Sequence, residues 1–190
     1  MPDGLRVAVV GPESSGKTSL VHHLHGWLEE RAIPVAVVPE QGRLLAQMLP
    51  AGHAWSFREQ IATSLMHQGA QAAAEVVLRA TSGGGVLLCD GTVATPAVWH
   101  LCACTARPGY DSGAESFTQT LLAAVDANAY DLTMLLAPDI PWEPDGIRDD
   151  PGGRDQAFER YRRLYPDAVV VAGPQRLDAG ITLLSDMLNR

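Results

Sequence analysis

Gly11-Pro12-Glu13-Ser14-Ser15-Gly16-Lys17-Thr18 is the stretch from which the fold can be read. It fits G-x-x-x-x-G-K-[ST], a loop whose glycines let the backbone curl until several N–H groups point into one hollow. A helix that follows adds its own free N–H groups and the positive end of its dipole, so an anion can be held there. The flanks supply this context. Leu5-Arg6-Val7-Ala8-Val9-Val10 reads as a buried strand, and Leu20, Val21, Leu24, Trp27 and Leu28 form an apolar helical stripe. Strand, glycine loop and helix together predict a nucleoside triphosphate site.

Within that site each side chain has an expected task. The loop from Glu13 through Ser14, Ser15 and Gly16 to Ser19 should cradle phosphates. Lys17 should reach the β- and γ-phosphates, and the Thr18 hydroxyl should ligate Mg²⁺. Lys17 is the single lysine among fourteen Lys and Arg residues. Arginine fills every other basic position, and the compact ammonium stands at the one place where a planar fork would fit poorly.

Length and charge narrow the function classes. A chain of 190 residues is expected to form one domain, residues 1–190, large enough for a substantial core. A net charge of −8, with no dense basic stretch, argues against binding a nucleic-acid polymer. No apolar run approaches the ~20 residues of a membrane span, and Met1-Pro2-Asp3-Gly4 leads directly into the first strand, so a cytoplasmic location is expected. The three cysteines, Cys89, Cys102 and Cys104, read as reduced thiols, mostly buried. His22, His23 and His25 lack a metal-binding spacing and read as surface or packing residues.

Further along, Val35–Val38 forms a second short apolar strand that delivers Glu40 and Arg43 at its carboxyl end, where open parallel sheets bind ligands. Glu40 is a candidate base or hydroxyl-binding carboxylate for a second substrate. Arg43 could meet a substrate anion, or the two could form a surface ion pair at a helix start. Ser56-Phe57-Arg58-Glu59 is a capping box opening a long helix. In that helix His67 and Gln68 face either a ligand or solvent. Val86-Leu87-Leu88-Cys89-Asp90 is an apolar run ending in aspartate, which reads as the strand whose Asp90 holds Mg²⁺, or as a plain strand end. Thr95-Pro96 starts another helix, and Trp99, Cys102 and Cys104 read as packing residues within it. After a fourth strand at 131–137, residues 138–154 are rich in Pro, Gly and Asp. They read as a mobile lid whose Arg148 and Arg154 swing onto the triphosphate, or as a surface loop. A fifth strand at 167–172 and a last helix complete the pattern. The expected class is α/β, a P-loop NTPase with a doubly wound parallel five-stranded sheet flanked by helices.

Glu-Ser-Ser in the loop, Glu40-x-x-Arg43, His67-Gln68, Asp90-Gly91-Thr92 and Trp142-x-x-Asp145-Gly146-x-Arg148 occur here in order. Together they resemble the ribosylnicotinamide kinase domain of the NadR type, over nearly the whole chain. The resemblance implies a nucleoside-monophosphate-kinase-like fold with a lid, ATP and Mg²⁺ as cofactors, and a role in NAD biosynthesis. It implies phosphoryl transfer to a nucleoside such as nicotinamide riboside. Lys17, Glu40, Asp90, Arg148 and Arg154 would be catalytic, with Thr18 and Asp90 at the metal and Glu40, Arg43, Gln68 and Asp90 at the acceptor. Deoxynucleoside kinases also carry a glutamate after the second strand, which is similar to Glu40. Pro39 and Gln41 stand where the NadR-type family commonly has aromatic residues. The expected partner is a small nucleoside-like acceptor, and the sequence leaves room for a homo-oligomer. Two alternatives remain at this stage: an ATP-binding switch, or a kinase of this scaffold acting on another nucleoside, nucleotide or metabolite. A GTPase is disfavoured, because its guanine-reading Asn-Lys-x-Asp motif needs a second lysine. Length disfavours a large AAA+ motor.

Overall fold

The computed structural model describes residues 4–82, 84–104, 112–123, 125–126, 129–143 and 151–190. Five strands form one sheet: β1 (Leu5–Val10), β2 (Val35–Val38), β3 (Val86–Asp90), β4 (Leu132–Leu136) and β5 (Val169–Val171). All pairings are parallel, in the order β2-β3-β1-β4-β5. β1 therefore lies at the centre, and its Val9 sits in register with both Asp90 of β3 and Met134 of β4.

The alternation along β1 divides the core. Leu5, Val7 and Val9 point to one face, where Leu20, Val21, Leu24 and Leu28 of α1 (Lys17–Glu29) meet Leu184 of α7 (Arg176–Leu188). Ala8 and Val10 point to the other, against Val98 of α4 (Thr95–Trp99) and Ala157 and Tyr161 of α6 (Arg154–Leu164). Period-2 burial on a strand and period-3.6 burial on the helices are what a doubly covered parallel sheet requires. Gly180 lets α7 come close to α1: a methyl group at that position would meet Leu20 Cδ1 at 2.6 Å.

α2 (Gln41–Met48) begins directly after Glu40, three residues before the apolar pattern suggests. α3 (Phe57–Ser82) opens as expected, with the Glu59 carboxylate accepting the Ser56 N–H at 2.7 Å and Ser56 Oγ accepting the Arg58 N–H at 3.2 Å. Partial burial raises the Glu59 pKa. The hydrogen bonds from the Ser56 side chain and backbone and from His53 outweigh it, and the carboxyl is held at about 2. α4 continues into a π-helical turn at His100–Cys104, and α5 (Ser112–Ala123) follows. Residues 144–150, which include Arg148 and most of the expected lid motif, lie outside the described residues. Among the described residues no helix is long and apolar enough to cross a membrane.

Candidate active site

The carboxyl ends of β1, β2 and β3 place three polar segments around one cleft. From β1 the chain enters the phosphate loop through Gly11, whose φ of +148° suits glycine. A Cβ there would lie 2.7 Å from the Leu136 carbonyl oxygen. The loop then turns on itself. The Pro12 carbonyl accepts both Ser15 Oγ at 2.8 Å and Lys17 Nζ at 2.6 Å, with Lys17 7% exposed. Gly16, at φ +87°, caps α1, whose first turn carries Lys17, Thr18 and an exposed Ser19.

Across the β1–β3 pairing, Thr18 Oγ1 donates to Asp90 Oδ2 at 2.6 Å. Asp90 is 3% exposed, and its Oδ1 has no hydrogen-bond partner among the described residues. A buried carboxylate oxygen without a partner, beside a threonine hydroxyl, is a donor set that fits a hard cation such as Mg²⁺. Thr18 and Asp90 are the residues that would hold it.

Glu40 stands opposite, at the end of β2 and buried. Its Oε2 accepts Arg43 Nε at 3.0 Å. Both expected roles for this pair coexist in part: Glu40 lines the cleft beside Lys17 and Asp90, whereas Arg43 is half-exposed behind it and outside the lining. Gln41, at a position where the NadR-type family commonly has an aromatic residue, folds back to donate to the Pro39 carbonyl at 2.8 Å.

Two expectations need correction. Gln68 is exposed and does not line the cleft, and its neighbour His67 does. A helix turns about 100° per residue, and on α3 that rotation carries Gln68 out to solvent while His67 faces the cleft. Arg154 belongs to the first turn of α6 instead of a lid, and its guanidinium is committed to backbone. Nη2 donates to the Ser14 and Ile140 carbonyls at 3.1 Å each, and Nη1 to Ile140 at 3.1 Å. It braces the phosphate loop from the side. Ser14 Oγ is braced in turn by the Glu143 backbone, at 2.8 Å to its carbonyl and 3.3 Å from its N–H.

Other residues of the site were not singled out in the sequence. Arg176 is buried at the start of α7. It donates through Nη1 to the Ser15 carbonyl at 2.7 Å, through Nε to the Gly173 carbonyl at 3.1 Å, and pairs with Asp139. Asp139 also accepts the Gly173 N–H at 2.6 Å. That bond, outweighing partial desolvation and aided by Arg176, lowers its pKa. The cleft also carries Trp55 and Trp99, edge to face with centroids 6.0 Å apart, where Trp99 had been read as packing. It also carries Gln60, Thr63 and His67 from α3. The spacing of these three, i, i+3 and i+7 among apolar neighbours, is a polar stripe that the sequence does contain. Burial pushes the His67 pKa down to about 4, so the imidazole is neutral at pH 7. Cys89 is buried under the sheet and its thiol is pushed up to about 12, while half-buried Cys102 lines the cleft.

Over residues 6–171 the chain matches the family described as AAA domain, a P-loop family. It belongs to that family. This AAA-domain protein also shares its fold with two solved structures of NadR. One, in complex with NR, is 16% identical with a TM-score of 0.66, covering 97% of this chain and 49% of that one. The other, in complex with NAD and AMP-PNP, is 15% identical with a TM-score of 0.67, covering 96% and 49%. The chain thus spans about half the length of the NadR proteins it matches. Among curated proteins none matches in sequence.

Proposed function

We propose that this protein is a small-molecule kinase that transfers the γ-phosphoryl group of ATP to a hydroxyl of a nucleoside-like acceptor. The observation that carries the reading is the convergence of Lys17, Asp90 and Glu40 on one cleft, with the phosphate loop at one end and paired tryptophans at the other. A nucleotide switch needs the first end only. The walled second compartment, with a buried carboxylate between the two ends, is what a second substrate requires.

In this reading the loop N–H groups and the α1 dipole hold the triphosphate, and Lys17 moves from the Pro12 carbonyl onto the β- and γ-phosphates. Mg²⁺ at Thr18 and Asp90 would supply charge neutralisation on the phosphate oxygens. Glu40 accepts the hydroxyl proton of the acceptor as its oxygen bonds to the γ-phosphorus. The bond from that phosphorus to the β–γ bridging oxygen breaks, and ADP leaves. Arg43 holds the Glu40 carboxylate in place. Arg154 and Arg176 fix the loop carbonyls from either side, so the N–H groups stay aimed without reorganising during transfer.

The NadR structures, one of them bound to NR, support a nucleoside such as nicotinamide riboside as the first acceptor to try, and with it a role in NAD biosynthesis in the cytoplasm. On this reading residues 1–190 act as a single kinase domain. The test is whether ADP release by the protein depends on an added nucleoside, and whether Glu40→Gln removes that dependence while ATP binding survives.

A further inference from the structure

The face of α3 that looks into the cleft carries an unusual row of polar groups. Gln60, Thr63, Ser64 and His67 are all buried, at 4%, 5%, 5% and 3% exposure. Buried polar groups are normally satisfied, and two of the four are: Thr63 Oγ1 donates to the Glu59 carbonyl at 2.7 Å and Ser64 Oγ to the Val93 carbonyl at 3.0 Å. Gln60 Nε2 and His67 Nε2 have no partner among the described residues. Both side chains line the cleft, two turns apart on one helix face. Buried polar atoms are costly to leave unpaired, and the place of these two in the lining of a cleft suits them to complete their hydrogen bonding with a ligand.

The chemistry of the ligand follows from what surrounds them. Trp55 and Trp99 line the same cleft edge to face, giving it an aromatic corner against which a ring can pack. The Gln60 amide nitrogen is a donor, and the neutral imidazole of His67 offers either a donor or an acceptor at Nε2. Among the described lining residues the cations are Lys17 and Arg154, both held at the phosphate loop, and none lies on α3. Glu40 and Glu13 add negative charge to the same cleft. A carboxylate on the acceptor would therefore meet no cation at α3 and two carboxylates nearby.

We propose that Gln60 and His67 select the acceptor's ring, reading an uncharged carboxamide or ring carbonyl and discriminating against the corresponding carboxylate. This rests on the reading of the cleft as the acceptor site of a nucleoside kinase. Gln60 Nε2 donates to the carbonyl oxygen of the substituent, His67 Nε2 meets its amide or ring edge, and the ring lies against the tryptophans.

The experiment measures kcat/KM for nicotinamide riboside against nicotinic acid riboside, which differ only in this group, and for uridine against orotidine, which keeps the ring carbonyls and adds a carboxylate. Wild-type protein, Gln60→Leu, Gln60→Glu and His67→Phe are compared, each checked for a native melting curve. The member without the carboxylate is expected to lead by about 10-fold or more in the faster pair, since a site built to hydrogen-bond a group rejects analogues that leave its polar atoms unpaired. Gln60→Leu should cut kcat/KM for that member by about 10- to 100-fold, mainly through KM, and leave the acid within about two-fold. The isosteric Gln60→Glu should do the same if the leucine variant fails to fold. Equal use of amide and acid by the wild type, or a Gln60 variant that leaves their ratio unchanged, overturns the selection while the kinase reading stands. Absence of phosphorylation of every nucleoside, with ATP bound, overturns the kinase reading and this inference with it.

Discussion

The Thr18 hydroxyl donates to Asp90 Oδ2 at 2.6 Å, tying the first turn of α1 to the last residue of β3. Two residues 72 positions apart meet because β1 and β3 are direct neighbours, with Val9 opposite Asp90. That adjacency brings the phosphate loop and the carboxylate proposed to hold Mg²⁺ to one point, with Asp90 Oδ1 lacking a hydrogen-bond partner among the described residues.

Asp90→Asn tests that point. The substitution keeps the shape and the hydrogen bond from Thr18 but removes the charge from a buried oxygen. The Mg²⁺ concentration giving half-maximal ADP formation should rise by about 10-fold or more. A titration with MgCl₂ superimposable on that of the wild type would remove Asp90 from the metal site.

Lys17→Met separates catalysis from folding. The apolar stem is retained, and the folded state loses the charged hydrogen bond to the Pro12 carbonyl, worth about 2 kcal/mol. Transfer loses a cation aimed at the phosphates, which should lower kcat by about 100-fold or more. Thermal melts and initial rates on one preparation check both. Collapse of the fold would show that the lysine is structural.

Arg176→Ala removes the support behind the loop without touching the transferred phosphate. The Ser15 and Gly173 carbonyls and Asp139 each lose a donor. Since Asp139 keeps contact with solvent, destabilisation of about 2–3 kcal/mol is expected. A rise in KM for ATP that exceeds the fall in kcat is expected as well. Denaturant unfolding and ATP saturation curves measure these, and an unchanged KM would confine Arg176 to packing.

His67 makes a pH-dependent contribution. Its folded pKa is about 4 against an ordinary value of 6.5, the cause being burial. Below pH 6.5 the unfolded chain takes up a proton that the folded protein refuses until about pH 4. Stability attributable to this group is therefore full above pH 6.5 and is lost as pH falls through that window. His67→Gln should flatten the decline in unfolding free energy between pH 6.5 and 4. A slope identical to the wild type would mean that His67 titrates normally.

Legibility in the sequence followed the range of the physics. Every strand and the phosphate loop were readable, because a buried parallel strand such as Val86–Cys89 is a continuous apolar run. Gly11 and Gly16 likewise mark conformations set within the loop itself. Asp90 and Glu40 were readable from position at strand ends. Gln68 was misplaced because helical phase decides between neighbours, and only the packing of α3 on the sheet fixes that phase. Arg176 and Trp55 were missed because their partners, Ser15 and Trp99, lie far away in sequence. The aromatic residues that the family commonly has beside Glu40 are absent here, as the sequence shows, and Gln41 bends back to the Pro39 carbonyl; aromatic rings enter the cleft from other elements, where Trp55 and Trp99 meet.

The most direct test of the account is ADP formation from ATP and Mg²⁺ in the presence and absence of a nucleoside panel led by nicotinamide riboside, with the phosphorylated acceptor quantified alongside. The account predicts acceptor-dependent turnover, one phosphorylated acceptor per ADP, and loss of that turnover in Glu40→Gln. ADP released slowly at a rate that no nucleoside changes, with no phosphorylated product, would contradict it.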